Sequence, residues 1–266
     1  GVTWCAMQGF GVLGLDSNGR LVLPLPDSPP SVEYIYRDKQ KRYWLGTDNT
    51  LYSFDPVKRT HKSVATFDCA RLNCMVGDTE GNLHMSVWGT GFCIYNPDTD
   101  VRRNYNMYMK NDELGQLCND WLLCMLIDHQ GLLWLGTSSG VSCFNPATGS
   151  FLSQGWNQQL DGVMCFSICE LRDGNIAVGT DKGLYLYDRK GREMTSFPHG
   201  DMMRNKIITY ITQSNDGDIW CSTSMGIWRY DMQQERFVGY ISGNGLAKKE
   251  YIIGVGMHTN VDLIYF

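Results

Sequence analysis

Two landmarks that recur in step predict an all-β fold built from four-stranded antiparallel blades, a β-propeller. The first is a W-L-G-T-like strand whose aromatic position falls at Trp4, Trp44, His84, Trp134, Ala177, Trp220 and Tyr265, in steps of 40, 40, 50, 43, 43 and 45 residues. The second is an Asp or Asn five residues after a Gly, or once after Thr50, at Asp16, Asp55, Asn96, Asn145, Asp188 and Asp231. Each interval also holds four strand-length segments parted by turn residues. Four strands per repeat of this length is the signature of a propeller blade.

Within one unit the first strand is an almost unbroken apolar run, as at 121–127 and 207–211, which suits a strand buried on both faces. A tight turn follows: D-T-E-G at 78–81, D-H-Q-G at 128–131, R-D-G-N at 172–175, N-D-G-D at 215–218. In these turns Asp or Asn bonds its own backbone and Gly takes the positive φ. The W-L-G-T strand comes next, then an alternating strand such as L-Y-L-Y-D at 184–188 or I-W-R-Y-D at 227–231. A second turn, N-P-A-T-G at 145–149 or D-P-V-K-R at 55–59, uses Pro to fix φ. A short outer strand such as 236–240 completes the unit. No helical pattern of ten residues or more interrupts this order. The run 251–257 is expected as an innermost strand, beside the N-terminal strands if the ring closes.

Repeats that bury their faces on one another form one continuous core, so the 266 residues are expected to make a single domain, 1–266. Hydrophobic content of 43%, with 14 Tyr, 8 Trp and 29 Gly, excludes disorder and fits a turn-rich β protein. Against 28 acidic residues stand 23 basic ones, and no Lys/Arg run exceeds two, so a phosphate-backbone footprint and a nucleic-acid partner are not expected. No segment approaches 18 apolar residues, and no signal-like N-terminus is present; membrane attachment is expected only through segments outside this sequence. Both ends fall within a W-L-G-T strand, so the expectation is a six-repeat fragment truncated in mid-blade at both ends.

The stretch W-L-G-T-S-S-G-V-S-C-F-N-P-A-T-G at 134–149, with weaker copies at 176–188 and 219–231, resembles the two-component-regulator propeller repeat. That repeat builds the periplasmic sensor region of hybrid two-component histidine kinases in gut Bacteroidetes. The stretch G-N-G-L-A-K-K-E-Y at 243–251 is similar to the lead-in to the last blade of such a propeller, and the resemblance covers essentially the whole chain. Departures are His84 and Ala177 in place of the aromatic, Ser86 and Ser222 in place of Gly, and a turn at 38–41 without Gly. The resemblance implies a fragment of a typically seven-bladed, extracytoplasmic domain. It would recognise a carbohydrate-derived ligand and signal to a kinase, with a homodimer of the parent protein left open.

Catalytic and metal motifs are missing from the pattern. The five histidines, His61, His84, His129, His199 and His258, show no metal-ligand spacing. There is no G-x-S-x-G elbow and no phosphate loop; G-F-G-V-L-G at 9–14 lacks a following helix. The acidic turn at 215–218 lacks the later bidentate Glu of a calcium loop. No cofactor and no metal are therefore expected. None of the ten cysteines forms C-x-x-C, and Cys74 with Cys124, and Cys5 with Cys221, take repeat positions that are Leu or Val elsewhere. They are expected as buried free thiols, with a Cys69–Cys74 disulfide as the alternative.

In an up-and-down blade the loop after strand two and the connection from strand four to the next blade open on one face. Trp88 sits in the former, while Arg71, Trp121, Trp156, His199, Arg204 and Asn205 lie in or near the latter, and the insertion 104–117 adds Tyr105 and Tyr108. Aromatic faces beside Arg donors suit stacking on sugar rings and bonding to acidic groups. Arg71, Trp88, Tyr105, Tyr108, Trp121 and Trp156 are the candidate ligand-binding residues, the ligand an acidic oligosaccharide or other small molecule. Trp4, Trp44, Trp134 and Trp220 are expected to pack between blades. The competing classes are a propeller lyase or glycosidase, for which Glu33, Asp120 and Glu250 are the acidic candidates, and a protein-interaction scaffold.

Overall fold

The computed structural model describes residues 2–7, 9–16, 18, 20–22, 25, 28–29, 31–109, 115–152, 155–241, 257–258 and 264–265. The chain divides into two compact units, Gly1–Met109 with Asp120–Leu122, and Lys110–Asn119 with Leu123–Phe266. Sheet 1 holds three strands, Thr3–Met7, Gly11–Leu15 and Leu21–Val22. Sheet 2 comprises Tyr34–Arg37, Tyr43–Gly46, Thr50–Asp55 and Thr60–Thr66; sheet 3, Met75–Gly77, Leu83–Val87, Gly91–Asn96 and Val101–Tyr105. Sheet 4 comprises Leu122–Ile127, Leu133–Thr137, Gly140–Asn145 and Ser150–Phe151, and sheet 5 Cys165–Glu170, Ile176–Thr180, Gly183–Asp188 and Glu193–Ser196. Sheet 6 runs Ile208–Gln213, Ile219–Thr223, Gly226–Asp231 and Arg236–Tyr240, and sheet 7 pairs Met257–His258 with Ile264–Tyr265. Among the described residues the only helices are two short 3₁₀ segments, Gly155–Leu160 and Gly200–Met203. The all-β fold of sequential antiparallel blades expected from the sequence is the fold observed, with four strands in each of sheets 2 to 6 and, among the described residues, three in sheet 1 and two in sheet 7.

Register explains why the landmarks recur. Trp44 pairs with Ser53, Trp134 with Cys143, Ala177 with Leu186 and Trp220 with Arg229, each nine residues on. The Thr that ends the second strand closes the hairpin: the Oγ1 of Thr137, Thr180 and Thr223 donates to the carbonyls of Gly140, Gly183 and Gly226 at 2.8, 2.8 and 2.9 Å. The next turn is capped by its Asp or Asn, as where Asp55 Oδ1 accepts from the amides of Val57 and Lys58 at 2.9 and 3.0 Å.

The aspartate of the first turn does more than form the turn. Asp128 Oδ1 accepts from the Gln130 and Leu132 amides, both at 2.9 Å, while Oδ2 accepts from the Trp134 indole N–H at 2.7 Å. Asp38 takes the Trp44 indole at 2.9 Å, and Ser214 takes that of Trp220 at 3.2 Å. A guanidinium lies over the ring in each case: Arg42 on Trp44, Arg189 on Trp134, Arg229 on Trp220, at 5.1, 5.9 and 5.9 Å. These tryptophans anchor turn to sheet as well as filling space. Trp44 and Trp134 are buried and Trp4 and Trp220 half-buried.

The glycine of W-L-G-T is required by packing. A Cβ on Gly46 would stand 2.8 Å from the Leu72 carbonyl, and one on Gly136 3.0 Å from the Cys165 carbonyl and against the Cys124 thiol. Where Ser replaces Gly, a polar partner is supplied instead: Ser86 Oγ donates to Asn73 Oδ1 at 2.7 Å, and Ser222 Oγ bonds Thr209 Oγ1 at 2.8 Å.

Several expectations need correction. The first strands begin at Leu122 and Ile208, one residue later than read, because Trp121 and Ile207 are exposed ahead of them. The first strand is also less buried than an apolar run suggests: Leu123 to Ile127 are half-buried whereas Leu133–Thr137 is wholly buried. The first strand is an edge of its sheet and the second is central, flanked on both sides. Residues 251–256 of the expected innermost strand lie outside the described residues, as does Glu250. All ten cysteines are free, Cys69 and Cys74 included, five of them buried and five half-buried.

Candidate functional site

Sheet 3 departs from the nine-residue register, because His84 pairs with Ile94, ten residues on. The extra residue lies in the loop 88–90, where Val87 replaces the hairpin-closing Thr and Thr90 bonds the Val87 carbonyl through its amide and its Oγ1, at 2.9 and 3.1 Å. Gly89 adopts φ 84°, where an L side chain is strained, and a Cβ there would meet Trp121 at 3.8 Å. The lengthened loop holds Trp88 half-buried beside the sheet.

Two connections are fastened to this loop. The Trp88 amide donates to the Arg71 carbonyl at 3.1 Å, and the Gly91 amide to the Asp120 carbonyl at 3.3 Å. Asp120 accepts from the Met107 amide at 2.7 Å, and Asn73 Nδ2 donates to the Leu122 carbonyl at 3.0 Å. Arg71, Trp88 and Trp121 converge as a result. The Arg71 guanidinium stands 5.6 Å from the Trp88 ring centroid, and the rings of Trp88 and Trp121 meet edge to face, 5.0 Å apart at 88°. Trp121 is 46% exposed and Arg71 is exposed, so both present surface to solvent.

Glu33 Oε1 lies 3.9 Å from Arg71 Nε, a long ion pair that holds one edge of a five-donor fork. Asp120 is buried and its carboxyl pKa is pushed up by burial, against the lowering effect of the Met107 amide. The cluster thus offers a fixed indole face, a second indole bracing it, and a guanidinium able to donate to an oxyanion.

The other three candidates are placed differently. Tyr105 ends the outer strand of sheet 3 directly opposite Phe92, its ring stacked on that phenyl at 4.9 Å and 12°. Its ring belongs to the sheet and not to an insertion. Tyr108 is 79% exposed, in a turn whose Asn106 Oδ1 accepts from the Tyr108 and Met109 amides at 3.0 and 3.1 Å. Trp156 lies in Gly155–Leu160, in the other compact unit, and its side chain lies outside the described residues. Glu33 and Asn73 also adjoin this cluster, and the sequence pattern does not select them as ligand contacts. No group of three or more His, Cys, Asp or Glu able to hold a metal occurs among the described residues. No helix there is long and apolar enough to cross a membrane.

Residues 115–139 match the family model described as two component regulator propeller, so that stretch is similar to that repeat. The extracellular domain of a hybrid two component system of B. thetaiotaomicron superposes with TM-score 0.81 at 19% identity, over 100% of this chain and 36% of its own. A second extracellular domain from that organism, of a one component system, gives 0.70 at 17%, over 92% and 35%. Virginiamycin B lyase of Staphylococcus aureus gives 0.70 at 13%, over 91% and 80%. These likenesses show the fold. The chain spans about a third of the length of the two extracellular domains. No curated protein sequence matches it.

Proposed function

We propose that the chain is part of a single extracytoplasmic propeller domain that senses a carbohydrate-derived ligand for a two-component histidine kinase, and that Arg71, Trp88 and Trp121 form its contact surface. The observation that carries this reading is the half-exposed Trp121 ring braced edge-on by Trp88, with the Arg71 guanidinium over Trp88. An exposed aromatic held rigid loses little entropy on binding, and its face suits the C–H face of a pyranose. The adjacent guanidinium favours a uronate or sulfate group on that sugar. The match to the two component regulator propeller model supports the signalling half of the proposal.

Two of the three acidic residues that a propeller lyase or glycosidase would use, Glu33 and Asp120, are engaged in the structure, and Glu250 lies outside the described residues. Glu33 faces Arg71, and Asp120 is buried with the Met107 amide on its carboxylate. We therefore assign binding and not turnover to this surface.

Stacking and charged hydrogen bonds contribute roughly 1 to 3 kcal/mol each. Trp121→Ala or Arg71→Ala should weaken binding of an acidic oligosaccharide about tenfold or more while leaving the melting temperature nearly unchanged, since both side chains are exposed. Calorimetric titration with uronate-containing, sulfated and neutral oligosaccharides tests this. Unchanged affinity in both variants would remove the surface from the proposal.

A further inference from the structure

We infer that the second compact unit carries a separate binding recess for a small organic anion with an aromatic or branched apolar body, held between sheets 4 and 5. The recess has a volume of about 470 Å³, within the range of about 300 to 1,000 Å³ typical of small-molecule sites. Its apolar wall is made by Leu132, Trp134, Cys143, Leu152 and Tyr187, and Gln130, Arg189 and Arg192 stand at its polar side. The two aromatic rings meet at 5.2 Å and 54°, so the wall is a corner and not a flat plate. An apolar wall with a few polar groups on one side is the usual make-up of a site that orients an amphipathic ligand.

The two arginines differ in a way that selects the ligand's charge. Arg189 is spent on the protein. Its Nε donates to the Gly174 carbonyl, Nη1 to Gln130 Oε1 at 3.0 Å, and Nη2 to Asp128 Oδ2 at 2.6 Å and Glu170 Oε1 at 3.1 Å. It forms a wall over Trp134, its charge offset by the two carboxylates. Arg192 is exposed in the turn that follows Asp188, held there at φ 53°, and has no hydrogen bond or ion pair among the described residues. Its full set of donors is available at the mouth of an apolar recess, which fits a carboxylate or sulfonate whose body rests on the half-buried Leu132, Leu152 and Tyr187. This ligand class differs from the sugar surface around Trp121, and the site shares no residue with it.

Titration of the 266-residue chain with 8-anilinonaphthalene-1-sulfonate, followed by fluorescence, tests the inference, with its uncharged counterpart N-phenyl-1-naphthylamine as reference. The expected result is one saturable site for the sulfonate, weakened about tenfold by Arg192→Ala and abolished by Leu152→Trp, which fills the recess. The neutral dye should bind the original chain and Arg192→Ala alike. Thermal melts of both variants establish that they are folded, and Arg192→Ala, an exposed turn position, keeps the test open should Leu152→Trp unfold. Absence of saturable binding, or equal sulfonate affinity in the original chain and Arg192→Ala, would overturn it.

Discussion

Asp78 and its neighbours show what a single turn residue contributes. Its Oδ1 accepts from the amides of Glu80 and Asn82, and its Oδ2 from the Asn82 side chain at 2.8 Å, with His84 Nε2 at 3.1 Å. Burial alone would raise this carboxyl; the bonds from His84 and Asn82 outweigh it and hold the pKa at about 2. A carboxylate depressed from its unfolded value near 4 contributes stability that is complete above that value and is lost as pH falls toward 2. The contribution is about 2 kcal/mol, so urea midpoints measured between pH 5 and pH 2 should fall more steeply in the original chain than in Asp78→Asn. A second residue-level prediction concerns Lys41. It adopts φ 65° at the turn position that is Gly81 and Gly131 in sheets 3 and 4, at φ 88° and 80°. A left-handed non-glycine costs about 1 to 2 kcal/mol, and glycine's extra chain entropy returns about 0.5 to 1 of that. Lys41→Gly should therefore stabilise by roughly 0.5 to 1 kcal/mol, read as a higher chemical-denaturation midpoint.

At the level of the element, the central W-L-G-T strand is the least tolerant of change. Gly136→Ala would push a methyl onto the Cys165 carbonyl and the Cys124 thiol, and overpacking of this kind costs about 1 to 3 kcal/mol. A lowered melting temperature with unchanged sulfonate binding at the sheet 4–5 recess is the expected outcome. The strand itself could be read from the sequence because Thr137, Gly140 and Asn145 each have a local job, and local jobs leave fixed spacings. The bond from Trp134 to Asp128 could not, since it joins residues six apart across a turn whose geometry must first be known. Tyr105 was misplaced for a similar reason. The polar run Val101–Tyr105 lacks apolar alternation, being exposed over Val101 to Asn104, and only its pairing opposite Phe92 shows that the outer strand extends so far. Trp88 and Trp121 were legible as candidates because both fall off the repeating aromatic position, in the two kinds of connection that open on one face, whereas their ring contact depends on the fold.

For the whole molecule, cohesion comes from repeated interfaces and not from covalent cross-links. All ten thiols are free, and burial pushes Cys93 up to about 11 and Cys74 and Cys143 up to about 12, with Cys165 and Cys221 also raised. Thiols held neutral and shielded from solvent react slowly. A colorimetric disulfide reagent should therefore leave these five unmodified in the native chain and reach all ten in denaturant. Added reductant should not shift the melting temperature. Within each compact unit the sheets pack on one another in sequence order, sheet 2 on sheet 3 and sheets 4, 5 and 6 in succession, and turn caps, hairpin-closing threonines and close-packed glycines recur from sheet to sheet.

The contact between Trp88 and Trp121 has an optical consequence. Two indoles 5.0 Å apart and nearly perpendicular share their electronic excitation, and a chiral pair of coupled chromophores gives a circular-dichroism couplet that single tryptophans do not. On the proposed function, a sugar stacked on the exposed ring should alter that ring's surroundings, and the couplet should change in amplitude with occupancy. Circular dichroism of the unlabelled protein during the oligosaccharide titration checks this, and Trp88→Phe should remove the couplet.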